Sequence, residues 1–175
     1  MNQKFTLIST SKPGIRLRTI ETADIEDLRL WKNANSLSFF LKEKISPEGQ
    51  KEWFKGYLAR PQDFMFLIES GGLHAGCMGF RILERAADLY NIIGAPGTQG
   101  KGIMKEAMLI MCGFIRNEYT KEIRCLVLKK NPALDWYLKS GYRVVSEYPD
   151  HYKLELDTER FPPCAYRKIG EIPKL

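Results

Sequence analysis

Histidine is scarce in this chain, with His74 and His151 alone among 175 residues, and the four cysteines, Cys77, Cys112, Cys125 and Cys164, are widely spaced without a CxxC pair. Protein zinc sites draw on Cys and His at short spacings, so no metal is expected and the thiols read as reduced and mostly buried. Long apolar runs are missing too. The longest near-continuous one, Ala107 to Ile115, falls far short of the roughly 20 residues a membrane span requires, and mean hydropathy is −0.31. Nine prolines, 14 glycines, 44% hydrophobic and 27% charged residues exclude collagen-like, coiled-coil and disordered chains. Neither an internal repeat nor a linker divides the sequence, and its length suits one domain at roughly 100 to 200 residues per domain, so 1–175 is read as a single domain. The first residues carry one lysine, Lys4, and no apolar core of about 7 to 15 residues, which predicts no secretory leader and a cytoplasmic location.

What the chain has in surplus is positive charge. Lys and Arg number 27 against 21 Asp and Glu, for a net charge of +6 and a pI near 9.1, which favours an anionic ligand. The basic residues are scattered, with tight pairs at Arg16/Arg18, Lys129/Lys130 and Arg167/Lys168. Zinc-finger spacing and RNP-type aromatic runs are both lacking, so neither a nucleic-acid nor a membrane partner is expected.

Periodicity orders the elements. Ile15-Arg16-Leu17-Arg18 alternates as a first strand, and Thr22 is placed to cap a helix with Asp24 and Glu26 in its first turn and Ile25, Leu28 and Trp31 on one face. Ser46-Pro47 opens a second helix to Leu58. Phe64–Glu69 and Cys77–Leu83 form a hairpin about Ser70-Gly71-Gly72, and a charged connection from Glu84 to Asp88 leads to a third strand, Leu89–Ile93. Met104, Ala107, Met108, Met111 and Ile115 recur at helical spacing, a stripe read as core. Ile123–Leu128 follows as a strand, Pro132–Ser140 as a helix, and Tyr142–Glu147 with His151–Leu156 as a closing hairpin. The tail from Asp157 reads as an irregular strap with room for one more strand. The whole is an α+β or α/β chain.

Chemistry concentrates at Ile93-Gly94-Ala95-Pro96-Gly97-Thr98-Gln99-Gly100-Lys101-Gly102-Ile103-Met104, a strand, a glycine loop and a helix. Glycines let bare amides approach an anion at a helix N-terminus, where the dipole assists. A Walker loop fails at both ends of its pattern, with Ala95 and Gly102 at the terminal positions, and a dinucleotide fingerprint fails at Lys105.

Gln99-Gly100-Lys101-Gly102-Ile103-Met104 resembles the acetyl-CoA loop of the GNAT superfamily, [QR]-x-x-G-x-[GA], matching at Gln99 and Gly102 and departing at Met104. Asn131-Pro132-Ala133-Leu134-Asp135-Trp136-Tyr137-Leu138-Lys139-Ser140-Gly141-Tyr142 is similar to the family's N-x-x-A-x-x-x-Y-x-x-x-G-[FY] segment, with Asn131 one residue too close to Tyr137. Trp31-Lys32-Asn33 and Ile45 to Phe54 resemble the branch of ribosomal-protein N-terminal and amino-sugar nucleotide N-acetyltransferases, Gln50 standing where that branch often has histidine.

The resemblance implies a mixed, mostly antiparallel sheet flanked by helices, with acetyl-CoA as co-substrate and no metal. Its thioester would lie between the strand ending at Gly94 and Ile123–Leu128, held by Ile92, Ile93, Gly94, Gln99, Gly100, Lys101, Gly102, Ile103, Met104 and Asn131. A neutral amine would attack directly, an amide near Ile92 or Ile93 would hold the developing oxyanion, and Tyr137 would protonate the leaving thiolate. Asp88 is the candidate base, with water as the alternative. Trp31, Phe39, Phe40 and Tyr90 are the candidate acceptor-binding aromatics, while His74 and His151 read as surface residues. Residues 21–60 hold seven acidic and seven basic side chains, so no acidic trap for a polyamine is visible. A nucleotide-linked amino sugar is the first acceptor expected and a protein N-terminus the second, on a monomer or homodimer. A non-catalytic acyl-CoA-binding regulatory module is the alternative from another class.

Overall fold

A computed structural model describes residues 4–162 and 165–170; Cys164 and the chain ends lie outside the described residues. Its strands are β1 (Phe5–Ser9), β2 (Ile15–Thr19), β3 (Asp63–Ser70), β4 (Leu73–Leu83), β5 (Ala86–Gly94), β6 (Ile123–Leu128), β7 (Tyr142–Glu147), β8 (His151–Leu156) and β9 (Tyr166–Gly170). The helices are α1 (Ile25–Ala34), α2 (Pro47–Leu58), α3 (Ile103–Glu118) and α4 (Leu134–Lys139).

All the strands join one sheet in the order β7-β8-β6-β5-β4-β3-β2-β1-β9. Every neighbouring pair is antiparallel except β5 and β6. That parallel pair is brief. Its register holds at Ala87 with Ile123 and Asp88 with Arg124 and then stops, so the strands part towards Gly94.

Each face of the sheet has its own core. On one, the α3 residues Met108, Met111, Phe114 and Ile115 pack on Leu7, Leu17, Phe66 and Phe80. On the other, Ile25, Leu28 and Trp31 of α1 and Phe54 and Tyr57 of α2 cover Met65, Leu67, Cys77 and Ile93. The methionine stripe is therefore core, as its spacing indicated. Cys77, Cys112 and Cys125 are buried.

Several boundaries differ from the sequence reading. α1 begins at Ile25, because residues 22–24 form a 3-10 turn closed by Asp24, whose carboxylate accepts from the Glu21 amide at 2.6 Å and from Arg18 at 2.9 Å. Thr22 is not the cap. Ser46 does cap α2, accepting from the Gly49 amide at 3.0 Å with Pro47 in the first turn. β5 starts at Ala86 because Glu84 and Arg85, both at positive φ, reverse the chain tightly without glycine. α4 is shorter than its sequence pattern, since Asn131 Oδ1 takes the Ala133 amide at 2.9 Å and holds Pro132 in a turn. β1 was not read from the sequence. The tail does contribute a strand, β9, paired with β1.

Candidate active site

The loop leaving β5 is built in two steps. Ala95-Pro96-Gly97-Thr98 is a turn closed by the Thr98 amide on the Ala95 carbonyl at 3.3 Å, with Pro96 fixing its φ and Gly97 at φ +79°. The Thr98 hydroxyl and the Ala95 amide tie it down to carbonyls of Ala95 and Ala75. Gln99 to Gly102 then carries the chain to α3, whose N-cap is Gly102 at φ +71°. The first amides of the 16-residue α3 have no intrahelical acceptor and face outward at the positive end of its dipole.

Met104, the departure from the loop pattern, has its own accommodation. Gly76 and Gly94 are register partners on β4 and β5, and a Cβ at Gly76 would lie 3.1 Å from Met104 Sδ, one at Gly94 3.5 Å from Met104 Cγ. Two facing glycines thus make the room that a small residue at position 104 would otherwise provide.

A bulge shapes the last turn of β5. Cys77 pairs with Ile93 but Gly79 with Tyr90, so β5 has one residue more than β4 over this interval, and Asn91 sits there at φ +50°. The bulge turns consecutive residues to the α1 and α2 side, where Tyr90 packs on the second core and Asn91 accepts from Lys32 Nζ at 2.8 Å.

Beneath α1, α2 and the 35–46 loop lies a cavity of about 400 Å³. Leu28, Trp53, Met65 and Ile93 give it apolar walls, while Lys32, Gln50, Cys77 and Asn91 supply polar atoms and Glu43 and Lys44 stand at an exposed rim. Burial draws the Lys32 ammonium below its ordinary pKa and pushes the Cys77 thiol up.

Tyr137, on α4, packs in the core that holds α3. It is 6% exposed, its ring edge-on to Trp136 and Tyr142, and among the described residues nothing hydrogen-bonds its hydroxyl. Burial, with the nearby Cys125 thiol, holds the phenol well above its usual pKa. Asn131 donates to the Ser38 carbonyl at 3.4 Å, linking the α4 approach to the loop over the cavity.

The remaining sequence candidates are dispersed. Asp88 does not line the cavity, its carboxylate being taken by Arg81 Nε at 3.1 Å and Nη2 at 3.0 Å across the β4–β5 ladder. Trp31 is 9% exposed and belongs to the core. Tyr90 donates to Asp63 and does not line the cavity. Phe39 packs below Lys32, whose Nζ lies 5.3 Å from the ring centroid, and Phe40, 52% exposed, meets the His151 ring edge-on. His74 is a surface residue bonded to Asp27 at 2.8 Å, whereas His151 is half-buried between Phe40 and a stacked Tyr148. Lys32 and Asn91 were missed as site residues. An amide inside the apolar strand Leu89–Ile93 was the signal available for Asn91. Among the described residues no cluster of metal-ligating side chains occurs, and no helix is long and apolar enough to cross a membrane.

A sheet parted beside a glycine loop and a helix N-terminus places the chain in the class of acyl-coenzyme A transferases with a split mixed sheet. The family described as "Acetyltransferase (GNAT) domain" matches residues 15–135, and the chain belongs to this family. No curated protein matches the sequence. Among solved structures, apo FdhC, a nucleotide-linked sugar GNAT, superposes with a TM-score of 0.71 at 16% identity over 91% of this chain and 92% of that one. RimL, a ribosomal-protein alpha-N-acetyltransferase solved with coenzyme A, gives 0.68 at 18% identity over 85% and 94%. A spermidine N-acetyltransferase SpeG variant from Vibrio cholerae gives 0.66 at 21% identity over 82% and 93%. At these identities the likeness is one of fold.

Proposed function

We propose that the chain, as one domain, transfers the acetyl group of acetyl-CoA to the primary amine of a nucleotide-linked amino sugar. The observation that carries this reading is that β5 borders the opening to β6, leads into the Gln99–Met104 loop and lines the cavity under α1 and α2 with Asn91 and Ile93. An anion-binding loop and the cavity read as the amine pocket thus share one strand, β5. The residues fit the co-substrate: amides of Gln99 to Met104 would hold its pyrophosphate, and the parted strands leave the edge of β5 from Leu89 to Gly94 without register to β6. Acetyl-CoA, when bound, supplies the thioester that the amine attacks.

The protein's own part is placement and proton traffic. An amide at Ile92 or Ile93, next to the Asn91 bulge, would hold the developing oxyanion. Tyr137 remains protonated through the physiological range and has no competing acceptor among the described residues, so its proton is available to the leaving thiolate. Asp88 is committed to Arg81, and the acceptor's proton leaves instead through water in the cavity. The sugar acceptor is supported by the FdhC likeness, which covers 91% of the chain, and by a rim where Lys44 accompanies one carboxylate, Glu43.

Calorimetric titration with acetyl-CoA tests the loop, and thiol release with a panel of amino-sugar nucleotides, peptides and polyamines tests the acceptor. Micromolar binding with turnover on an amino-sugar nucleotide is expected. Binding with turnover on peptides alone would make the chain a protein N-terminal acetyltransferase, and binding without turnover on any amine would make it a silent acyl-CoA module.

A further inference from the structure

Among the described residues Lys32 is a cation without a counter-ion. Its Nζ donates to Asn91 Oδ1 at 2.8 Å and lies over the Phe39 ring, and among the described residues no carboxylate pairs with it. An ammonium has three protons to give and Asn91 takes one. Gln50, on the facing helix, is 5% exposed and lines the same cavity, yet no described residue hydrogen-bonds its side-chain amide. A partly desolvated ammonium with protons to spare gains most from an acceptor of opposite charge. Lys32, partly buried, and Gln50 thus bring unused hydrogen-bonding capacity to one apolar-walled cavity.

We infer that Lys32 and Gln50 form the recognition point for an anionic oxygen group, phosphate or carboxylate, carried by the acceptor amine. The inference rests on the acceptor reading given above and adds the residues that select the substrate. An entering anion accepts from the free Lys32 protons and from the Gln50 amide, and the apolar walls strengthen both bonds. The same pair discriminates. A polyamine brings cations towards Lys32 with Glu43 alone, at the exposed rim beside Lys44, to offset the repulsion, whereas an amine with an acidic group is both attracted and oriented.

The test uses the full chain saturated with coenzyme A, so that the loop site is filled before inorganic pyrophosphate or succinate is titrated in a calorimeter. Wild-type protein should bind one of these probes, and Lys32→Met should weaken that binding about 10- to 100-fold, the loss of one charge-assisted hydrogen bond. Lys32→Arg should keep it within about 3-fold, and Gln50→Leu should weaken it about 5- to 10-fold. Preference for pyrophosphate identifies a phosphate-bearing acceptor, and preference for succinate a carboxylate-bearing one; either outcome supports the inference. Binding of neither probe, or equal binding by Lys32→Met, overturns it. Melting curves of each variant separate lost recognition from lost folding. Coenzyme A titration comes first and judges the transferase reading alone; should it fail, the probes are titrated into the unliganded protein with the same variants deciding.

Discussion

Replacing Tyr137 by Phe removes one oxygen and leaves the ring in its pocket against Trp136 and Tyr142. Because no described residue hydrogen-bonds that hydroxyl, its loss breaks no bond that holds the fold together, and stability should change by less than about 1 kcal/mol. The loop at Gln99 to Met104 is on another element, so acetyl-CoA affinity should stay within about 2-fold, below about 0.5 kcal/mol. Turnover is the quantity expected to fall. A positioned general acid contributes about 10²- to 10⁴-fold, or about 3 to 5 kcal/mol in the barrier. Thiol release under saturating acetyl-CoA reads the rate, calorimetry the affinity and a melting curve the fold. Unchanged turnover with unchanged affinity would refute the acid role, and a matching loss of stability would show that Tyr137 is merely core.

Four further outcomes follow from other parts of the molecule. Asp88→Asn should leave turnover within about 3-fold and cost at most about 1 kcal/mol, since its partner Arg81 is half exposed; a loss of 10²-fold or more would restore Asp88 as the base. Gly102→Val forces a branched side chain into a left-handed conformation at the start of α3, so it should cost about 1 to 3 kcal/mol in a melting curve and weaken acetyl-CoA binding by calorimetry. Asp24→Asn should destabilise by about 1 to 3 kcal/mol, discounted because Arg18 is a quarter exposed. Burial raises the Asp24 carboxyl, but the Arg18 and Glu21 bonds outweigh it and hold the group below its ordinary pKa; its contribution is therefore complete above the usual carboxylate range and lost as pH falls below about 4, a loss that the variant should not show. Spermidine should give no thiol release above the acceptor-free rate, given the cationic cavity.

Much of the fold was legible because the elements that carry it are amphipathic in the ordinary way. α2, α3, β6, β7 and β8 each show the period or boundary signal their environment requires. β1 escaped because Leu7 and Ile8 are consecutive and both buried: the strand is covered on both faces, so its side chains do not alternate. β9 is a mostly exposed edge strand with little to distinguish it from a loop. The start of β5 was hidden by a reversal made from Glu84 and Arg85, residues with no turn signature. The glycine loop and the short helix that carries Tyr137 were readable as local patterns. Lys32 and Asn91 were not, because 59 residues separate them and a bulge at a non-glycine position brings them together. Aromatic side chains proved a poor guide to the cavity, as Trp31 and Tyr90 are spent on packing and on Asp63.

The brevity of the β5–β6 pairing has a mechanical consequence. With register at two positions, the sheet amounts to two leaves, β9-β1-β2-β3-β4-β5 and β6-β8-β7, stitched at one end and open at the other, with α3 as the strap between them. A molecule laid in the opening acts as a splint across the leaves. Occupancy at 100 times Kd adds about 2.7 kcal/mol of stability, and the splint places that gain at the seam. Amide exchange in β6 should therefore report the filled state more sharply than exchange in β2 and β3, which are paired on both edges with or without it.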